Sequence, residues 1–201
     1  VTTPAGLLLT PGAGASRESP ALVTVEQTLA DAVPPLPVRR VDFPYRLEGR
    51  RMPDRAPVAV GHLRTEAAAW ADELGVGTDR LLLGGRSYGG RMCSMAVAEG
   101  LPAAGLVLLS YPLHPPGRPE KLRVEHFGQI EVPTLFVSGD KDPFGTPDEF
   151  AEHVAAIPGP VTTVTLSGAH DMRGVAREKA VAQAVATWIQ DVSDPQVTRG
   201  T

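Results

Sequence analysis

A single cysteine, Cys93, stands in 201 residues. That excludes an internal disulfide framework and any multi-cysteine zinc site. Lysine is nearly missing: only Lys121, Lys141 and Lys179 occur among 19 basic residues, and the rest are arginine. The excess of Arg and Ala reads as a coding-composition effect rather than a binding signature. The net charge is −4 and the pI about 5.7, which removes the electrostatic footprint expected of a nucleic-acid binder. Long apolar runs are missing as well. Leu81 to Leu83 and Leu106 to Leu109 are far too short to span a bilayer, so no membrane partner is expected. Val1 to Pro11 lacks the basic n-region and long apolar h-region of a secretory signal, and a cytoplasmic location is the expectation.

What is present is globular. Hydrophobic residues make up 42% of the chain, and its Gly and Pro are spread along it rather than clustered in a low-complexity tract. The length suits one domain of ordinary size. Residues 1–192 are read as that domain and residues 193–201, where the composition turns polar, as a flexible C-terminal tail.

Short apolar runs alternate with helical periods. The predicted strands are Leu7 to Leu9, Val38 to Asp42, Leu81 to Gly84, Leu106 to Ser110, Leu135 to Ser138 and Val161 to Leu166. Most are continuous rather than alternating, as in strands buried on both faces. Ser19-Pro20 reads as an N-cap and first helical position, with Leu22, Val25, Leu29 and Val33 behind it. Ala67, Trp70, Ala71 and Leu74 form a second helical stripe. Thr146-Pro147-Asp148-Glu149 has the form of a capping box, with Phe150, Val154 and Ile157 on one face. Val181, Val185, Trp188, Ile189 and Val192 mark a last helix. Phe43 to His62 and Tyr111 to Val132, both rich in proline, read as loops. This alternation predicts an α/β three-layer sandwich: a mainly parallel sheet of about six strands with helices on both faces.

The sharpest feature is Gly85-Arg86-Ser87-Tyr88-Gly89, a Gly-x-Ser-x-Gly between an apolar strand and a helix-compatible stretch. Composition alone would produce this pattern about 0.1 times in such a chain, so the flanking strand and helix are what sharpen it. A strand that reverses into a helix within so few residues puts Ser87 at a strained apex, and the positions two before and two after must lack side chains. The helix N-terminus then faces the serine with free N–H groups. A phosphate-binding loop would need Gly-Lys-Ser/Thr or Gly-x-Gly-x-x-Gly here, and neither is present.

A serine hydroxyl needs a base, and the base needs a carboxylate to fix its tautomer. Leu135 to Ser138 runs into Gly139-Asp140-Lys141-Asp142, which offers two aspartates; Asp140 competes as the acid but suits a turn-shaping role. Val164 to Leu166 runs into a loop with His170. Of the five histidines, His62 and His153 fall before or within predicted helices and His126 in the long loop, where surface or packing roles are usual. His114 follows the fourth strand and reads as a loop or substrate-pocket residue. His170 has the strand-end location where open α/β sheets build their sites. A developing oxyanion needs preorganised donors. The N–H of Tyr88 is one candidate. The other lies in the Gly-rich loop after Leu7 to Leu9, at Ala13, with Gly12 close behind.

These residues together resemble the α/β-hydrolase superfamily, and within it the small capless branch near the dienelactone hydrolases. That branch includes predicted bacterial hydrolases and testis-expressed and chromatin-complex relatives. The stretches that carry the likeness are Pro11 to Gly14, Phe43 to Arg46, Gly84 to Arg91, Ser110 to Gly117, Leu135 to Gly145 and Gly168 to Asp171. The resemblance implies the chain order serine, acid, histidine, with Ser87 as nucleophile and His170 as base, and by the position of the acid in the family it favours Asp142 over Asp140. It departs from the family at Pro11-Gly12, where His-Gly is usual, and at Ser87, where dienelactone hydrolases proper carry cysteine. Cys93 lies on the following helix and reads as a small buried hydrophobe. With about 20 residues between Tyr111 and Val132, no cap domain fits, and the site is expected to be shallow and open.

The implied function is esterase-like: a serine hydrolase that cleaves a small ester or thioester through an acyl-enzyme. The expected partner is that small molecule, with no nucleic acid, no membrane, no cofactor and no metal, in a monomer or homodimer. Arg86 and Arg91 flank the serine and could attract an acidic substrate, although such arginines are usually solvated or paired. The alternative is a non-catalytic scaffold or binding protein that kept the fold.

Overall fold

The computed structural model describes residues 3–193. Six strands form one sheet: β1 (Gly6–Thr10), β2 (Val38–Arg40), β3 (Leu81–Arg86), β4 (Gly105–Leu109), β5 (Thr134–Gly139) and β6 (Val161–Leu166). Their order is β2-β1-β3-β4-β5-β6, and every adjacent pair is parallel. The helices are α1 (Pro20–Ala30), α2 (Pro44–Leu47), α3 (Ala56–Leu74), α4 (Tyr88–Ala98), α5 (Pro147–His153) and α6 (Val175–Ser193). This is the expected three-layer sandwich, the α/β-hydrolase type of fold without a closed barrel.

The leucine-rich runs explain the layers. Successive strand residues point to opposite faces. Leu7, Leu9, Leu82, Val107, Leu109, Leu135 and Val137 therefore pack with Leu22 and Val25 of α1 and Val185, Trp188 and Ile189 of α6. Leu8, Leu83, Leu108 and Phe136 face the other way, onto Leu63 and Trp70 of α3 and Met92 and Cys93 of α4. Each fully buried leucine stabilises the fold by about 1.5–3 kcal/mol relative to exposure. The two edge strands, β2 and β6, depart from this pattern: neither holds a fully buried residue.

Several elements differ from the sequence-based expectation. α1 ends at Ala30, and Val33 is 91% exposed rather than on the buried stripe. Pro34 and Pro35 follow it, and the residue before a proline is disfavoured in helical conformation. Ser19 has the extended N-cap backbone but makes no capping bond, and its hydroxyl is buried without a partner. The segment 43–62 is not a continuous loop. α2 and the first turns of α3 lie within it, with Pro44 and Pro57 in opening turns, where proline is tolerated. β2 stops at Arg40, two residues short of the expected strand. The capping box at Thr146 and Glu149 is formed, but α5 tightens into a 3₁₀ turn at Val154–Ala156. Ser193 belongs to α6, its hydroxyl donating to Ile189 O at 2.6 Å, so helix continues one residue into the expected tail. The remainder of that tail, 194–201, lies outside the described residues. Among them, no helix is long and apolar enough to cross a membrane.

β1 and β3 are neighbours, but the chain leaves β1 toward one edge and β3 toward the other. Loops diverge at such a switch point and leave a crevice at the carboxyl ends of the strands. The loop after β1 and the turn after β3 bound that crevice.

Trp188 is 4% exposed and packs in the α1–α6 layer, its ring closing on the space beside Gly105. Trp188→Ala is expected to destabilise the protein by about 3–5 kcal/mol in urea unfolding, while Val33→Ala stays within about 0.5 kcal/mol of the parent.

Candidate active site

Ser87 sits between β3 and α4 with φ 50° and ψ −114°, a conformation that L-residues rarely adopt. Such strain costs about 1–3 kcal/mol and persists only where the surroundings over-determine it. Here they do. The Ser87 N–H donates to Leu109 O of β4 at 2.8 Å, which prolongs the sheet ladder into the turn. A Cβ on Gly85 would press on Thr10 Oγ1 and come within 2.7 Å of Thr10 O. One on Gly89 would lie 2.8 Å from Thr10 O and 2.5 Å from Pro11 O. The end of β1 therefore fills the space beside both glycines, and only hydrogen fits there.

His170 follows β6 on a loop. Its Nε2 lies 2.8 Å from Ser87 Oγ, and its Nδ1 lies 2.8 Å and 3.0 Å from the two Asp142 oxygens. An ionised carboxylate can only accept, so Nδ1 carries the proton and Nε2 is left to accept from the serine hydroxyl. Asp142 has a fully buried side chain, and its Oδ1 also accepts from Phe144 N–H at 2.9 Å. The Phe144 ring stacks on the imidazole at 4.0 Å and 28°. Arg86 Nη2 donates to His170 O at 2.9 Å, which ties the histidine loop to the end of β3. The structure thus brings Ser87, Asp142 and His170 together. Asp140 stands apart from them. Its Oδ1 accepts from Gly168 N–H at 2.9 Å and fastens the loop before His170.

The loop after β1 lies against the serine: an ideal Cβ on Gly12 would be 3.6 Å from Ser87 Cβ. Ala13 and Tyr88 line the same cleft. The Tyr88 N–H, at the first position of α4, has no intrahelical acceptor. Among the described residues, neither that N–H nor the Ala13 N–H donates to a protein acceptor. Tyr45, which the sequence left without a role, holds this loop: its hydroxyl accepts from Gly14 N–H at 3.1 Å. Asp54 supports the arrangement. Its Oδ2 accepts from Tyr45 N–H at 2.9 Å, and its carbonyl accepts from the Tyr88 hydroxyl at 2.7 Å. Burial raises the Tyr88 phenol well above its ordinary pKa.

The cleft measures about 410 Å³ and is lined by Gly12, Ala13, Ser87, Tyr88 and His170, by Pro112 and Phe144, and by Arg86, Arg91 and Arg123. His114 is not part of it, which corrects the expectation of a pocket residue. It is 5% exposed, with Nδ1 2.9 Å from Pro115 O and Nε2 3.3 Å from Glu149 Oε1. Its ring nitrogens face Pro115 and Glu149, neither of which lines the cleft, and Nε2 is buried without a hydrogen-bond partner.

A second serine–histidine contact lies beneath the surface. Ser94 Oγ donates to Arg91 O at 2.9 Å and sits 2.7 Å from His126 Nε2. With its proton committed, the hydroxyl accepts from the ring. Ser94 is fully buried and neither residue lines the cleft, so the pair braces the long loop against α4. Burial pushes His126 down to about 4, so it is neutral in the folded protein at neutral pH. Cys93 is also fully buried, near Gly84 O, with its thiol pushed up to about 12.

The profile of the family described as "Alpha/beta hydrolase domain" matches residues 3–194. The fold is similar to that of a dienelactone hydrolase from Anabaena variabilis, with 20% identity, a TM-score of 0.74, and coverage of 93% of this chain and 86% of that one. It is similar to Est1E from Butyrivibrio proteoclasticus, solved with ferulic acid bound (16% identity, TM-score 0.72, coverage 96% and 91%). A serine hydrolase homologue from Coxiella burnetii gives 17% identity and a TM-score of 0.72 over 93% of this chain and 86% of that one. At these identities the likeness is one of fold.

Two outcomes follow from this packing. Gly89→Ala should destabilise the protein by about 1–3 kcal/mol in urea unfolding. Gly61→Ala, on α3 with nothing within 4 Å of the added carbon, should stabilise it by up to about 1 kcal/mol. His126 has a folded pKa below its unfolded value of about 6.5. The stability linked to its neutral form is therefore whole above about 6.5 and is lost as pH falls toward about 4. Thermal melts from pH 7 to 4 should fall less steeply for His126→Gln than for the parent.

Proposed function

The chain belongs to the α/β-hydrolase family, and from that premise we propose that it is a serine hydrolase acting on small esters or thioesters through an acyl-enzyme. The observation that carries this reading is the continuous path from Ser87 Oγ through His170 to Asp142, opening on a cleft at the carboxyl ends of the strands. In the proposed reaction Ser87 Oγ attacks the substrate carbonyl carbon as His170 Nε2 takes its proton. Asp142 keeps the ring in the productive tautomer and stabilises the imidazolium. The carbonyl oxygen becomes an oxyanion facing the N–H groups of Ala13 and Tyr88, and one such donor is worth roughly 10²–10³ in kcat. The tetrahedral intermediate collapses and the carbon–oxygen or carbon–sulfur bond breaks. His170 returns the proton to the leaving alcohol or thiol. Water, deprotonated by the same imidazole, then attacks the acyl-serine and releases the acid and free Ser87.

The open cleft of about 410 Å³ suits a small, soluble substrate rather than a long acyl chain. Within the family, we place the chain in the capless branch near the dienelactone hydrolases, with its testis-expressed and chromatin-complex relatives, as one domain over 1–192. The support for that placement is the set of stretches from Pro11 to Asp171 and a connection of about 20 residues after β4. Arg86 enters this scheme as a positioning residue, holding the His170 loop through the carbonyl it bonds.

The parent is expected to be labelled by a fluorophosphonate and to hydrolyse p-nitrophenyl acetate, with acid and alcohol as the products. Ser87→Ala should lose both. Asp142→Asn should keep the fold and lower kcat by about 10³–10⁴, the effect of a misplaced tautomer. Equal labelling and turnover in Ser87→Ala would sink the mechanism. Absence of labelling in a folded parent would favour a binding protein, and transfer of the acyl group to an added alcohol would identify an acyltransferase.

A further inference from the structure

Outside the cleft, the partly buried arginines among the described residues all have side-chain partners: Arg39 and Arg40 pair with carboxylates, and Arg64 and Arg80 donate to the carbonyls of Glu99 and Thr3. Arg17, Arg39, Arg40, Arg50 and Arg173 each stand within 4.0 Å of a carboxylate oxygen. Three more line the cleft, and two of them, Arg91 and Arg123, have no side-chain partner at all among the described residues. Among the described residues, Arg86, Arg91 and Arg123 form no ion pair with any carboxylate, although all three are partly buried. The Nε atoms of Arg86 and Arg91 are buried with no hydrogen-bond partner. Arg86 has part of its guanidinium committed to His170 O. Arg91 and Arg123 have no such commitment: no side-chain hydrogen bond to protein is formed by either among the described residues. They are close enough to repel each other, and burial followed by the charge of Arg91 holds Arg123 below the usual guanidinium range. Glu125 acts on Arg123 and Asp171 on Arg86, but neither approaches to ion-pair distance, and Asp171 is paired with Arg173. Asp142, the remaining carboxylate near Arg86, is bonded to His170.

Both free arginines are held in place through their backbones. Arg91 is in the first turn of α4, its N–H donating to Ser87 O at 3.0 Å. The Arg123 N–H donates to Leu113 O at 2.8 Å, and its carbonyl accepts from the buried Tyr111 hydroxyl at 2.7 Å. Two like charges thus stand beside one small cleft without an ion-pair partner. Guanidinium groups pair best with a carboxylate or phosphate, whose oxygens match their paired N–H donors.

Resting on the proposed hydrolase reading, we infer that the substrate of this site is itself an anion: a small ester or thioester with a carboxylate or phosphate held by Arg91 and Arg123 while its carbonyl lies over Ser87. A half-ester of a short dicarboxylic acid is the simplest such molecule. Pro112 and Phe144 supply the apolar wall for its short carbon chain.

The test compares kcat/KM for p-nitrophenyl hemiglutarate with that for p-nitrophenyl butyrate. The parent should prefer the anionic ester by at least about tenfold, and the preference should shrink as salt rises from about 0.05 to about 0.5 M, as a charge interaction must. In the Arg91→Gln, Arg123→Gln double variant the ratio should drop toward one, and Arg123→Lys alone should keep part of it. A parent that favours the neutral ester, or a double variant with an undiminished ratio, overturns the assignment. Glutarate and inorganic phosphate as competitive inhibitors distinguish the two anion types; inhibition by either supports the site, and inhibition by neither overturns it. If no ester is turned over, the hydrolase reading has failed by itself. Calorimetric titration of glutarate into Ser87→Ala then decides the anion site: binding that the arginine substitutions abolish supports it, and absence of binding overturns it.

Discussion

Asp142 carries a carboxylate with no exposed side-chain surface, and a buried charge of that kind survives only if donors surround it. It has His170 Nδ1 and the N–H of Phe144. The first fixes which nitrogen of the ring is protonated. The second fixes the turn that carries Phe144, whose ring then lies flat on the imidazole. One buried carboxylate thereby determines the tautomer, the orientation and the packing of His170. The hydrogen bond to Ser87 follows from that placement. Without the aspartate, Nε2 could carry the proton and face the serine hydroxyl as a donor, and there would be no base beside the nucleophile.

The other half of the site is a backbone problem. Ser87 is displayed by a turn that L-residues resist, and the strain is contained by β1 and β4 rather than by the turn itself. Thr10 closes against Gly85 and Gly89, and Leu109 O takes the Ser87 N–H. The loop that leaves β1 at Pro11 starts from this same contact. Its position beside Ser87 and the shape of the turn are therefore set together. Tyr45 and Asp54 extend the coupling to α2 and the start of α3: one bonds Gly14 in the loop, and the other bonds both tyrosines, Tyr45 and Tyr88. Pro11, the first residue of that loop, is buried in this scaffold, and Gly12 behind it lies against Ser87.

The strands and the serine motif were legible because their signals are local. A run such as Leu81-Leu82-Leu83 must be buried on both faces, and Gly85, Ser87 and Gly89 within five residues specify a turn. Local sequence narrows the aspartate to two, and chain order admits both; only the position of the acid in the family favours Asp142, and in the fold the two part, Asp140 reaching Gly168 N–H and Asp142 reaching His170. His114 is misplaced by sequence for a similar reason. Its position after β4 is at the correct end of the sheet, but its ring faces Pro115 O and Glu149, the latter 35 positions away, and not the cleft. Proline misleads twice: Pro44 and Pro57 open helices here, and a proline in a first turn looks the same in sequence as one in a loop. Asp54 and the Ser94–His126 brace carry no signal, and Tyr45 enters only within the stretch Phe43 to Arg46 with no role attached, because each acts through a partner elsewhere in the chain.

The arginines show how local and distant effects separate. Arg86 and Arg91 flank the serine in sequence, which suggests a shared attraction for acidic groups. In the fold they divide. Arg86 turns back to bond His170 O, so part of its donor capacity serves the protein's own geometry. Arg91 is joined instead by Arg123, from a loop with no sequence relation to it, and by no carboxylate at ion-pair distance among the described residues. A fold free to minimise its own energy would pair or expose such charges, as it does with Arg39 and Arg40 at the far edge of the sheet. Charge without an ion-pair partner beside a strained backbone, in one cleft, is the arrangement expected where the compensating partner arrives from solution and leaves again.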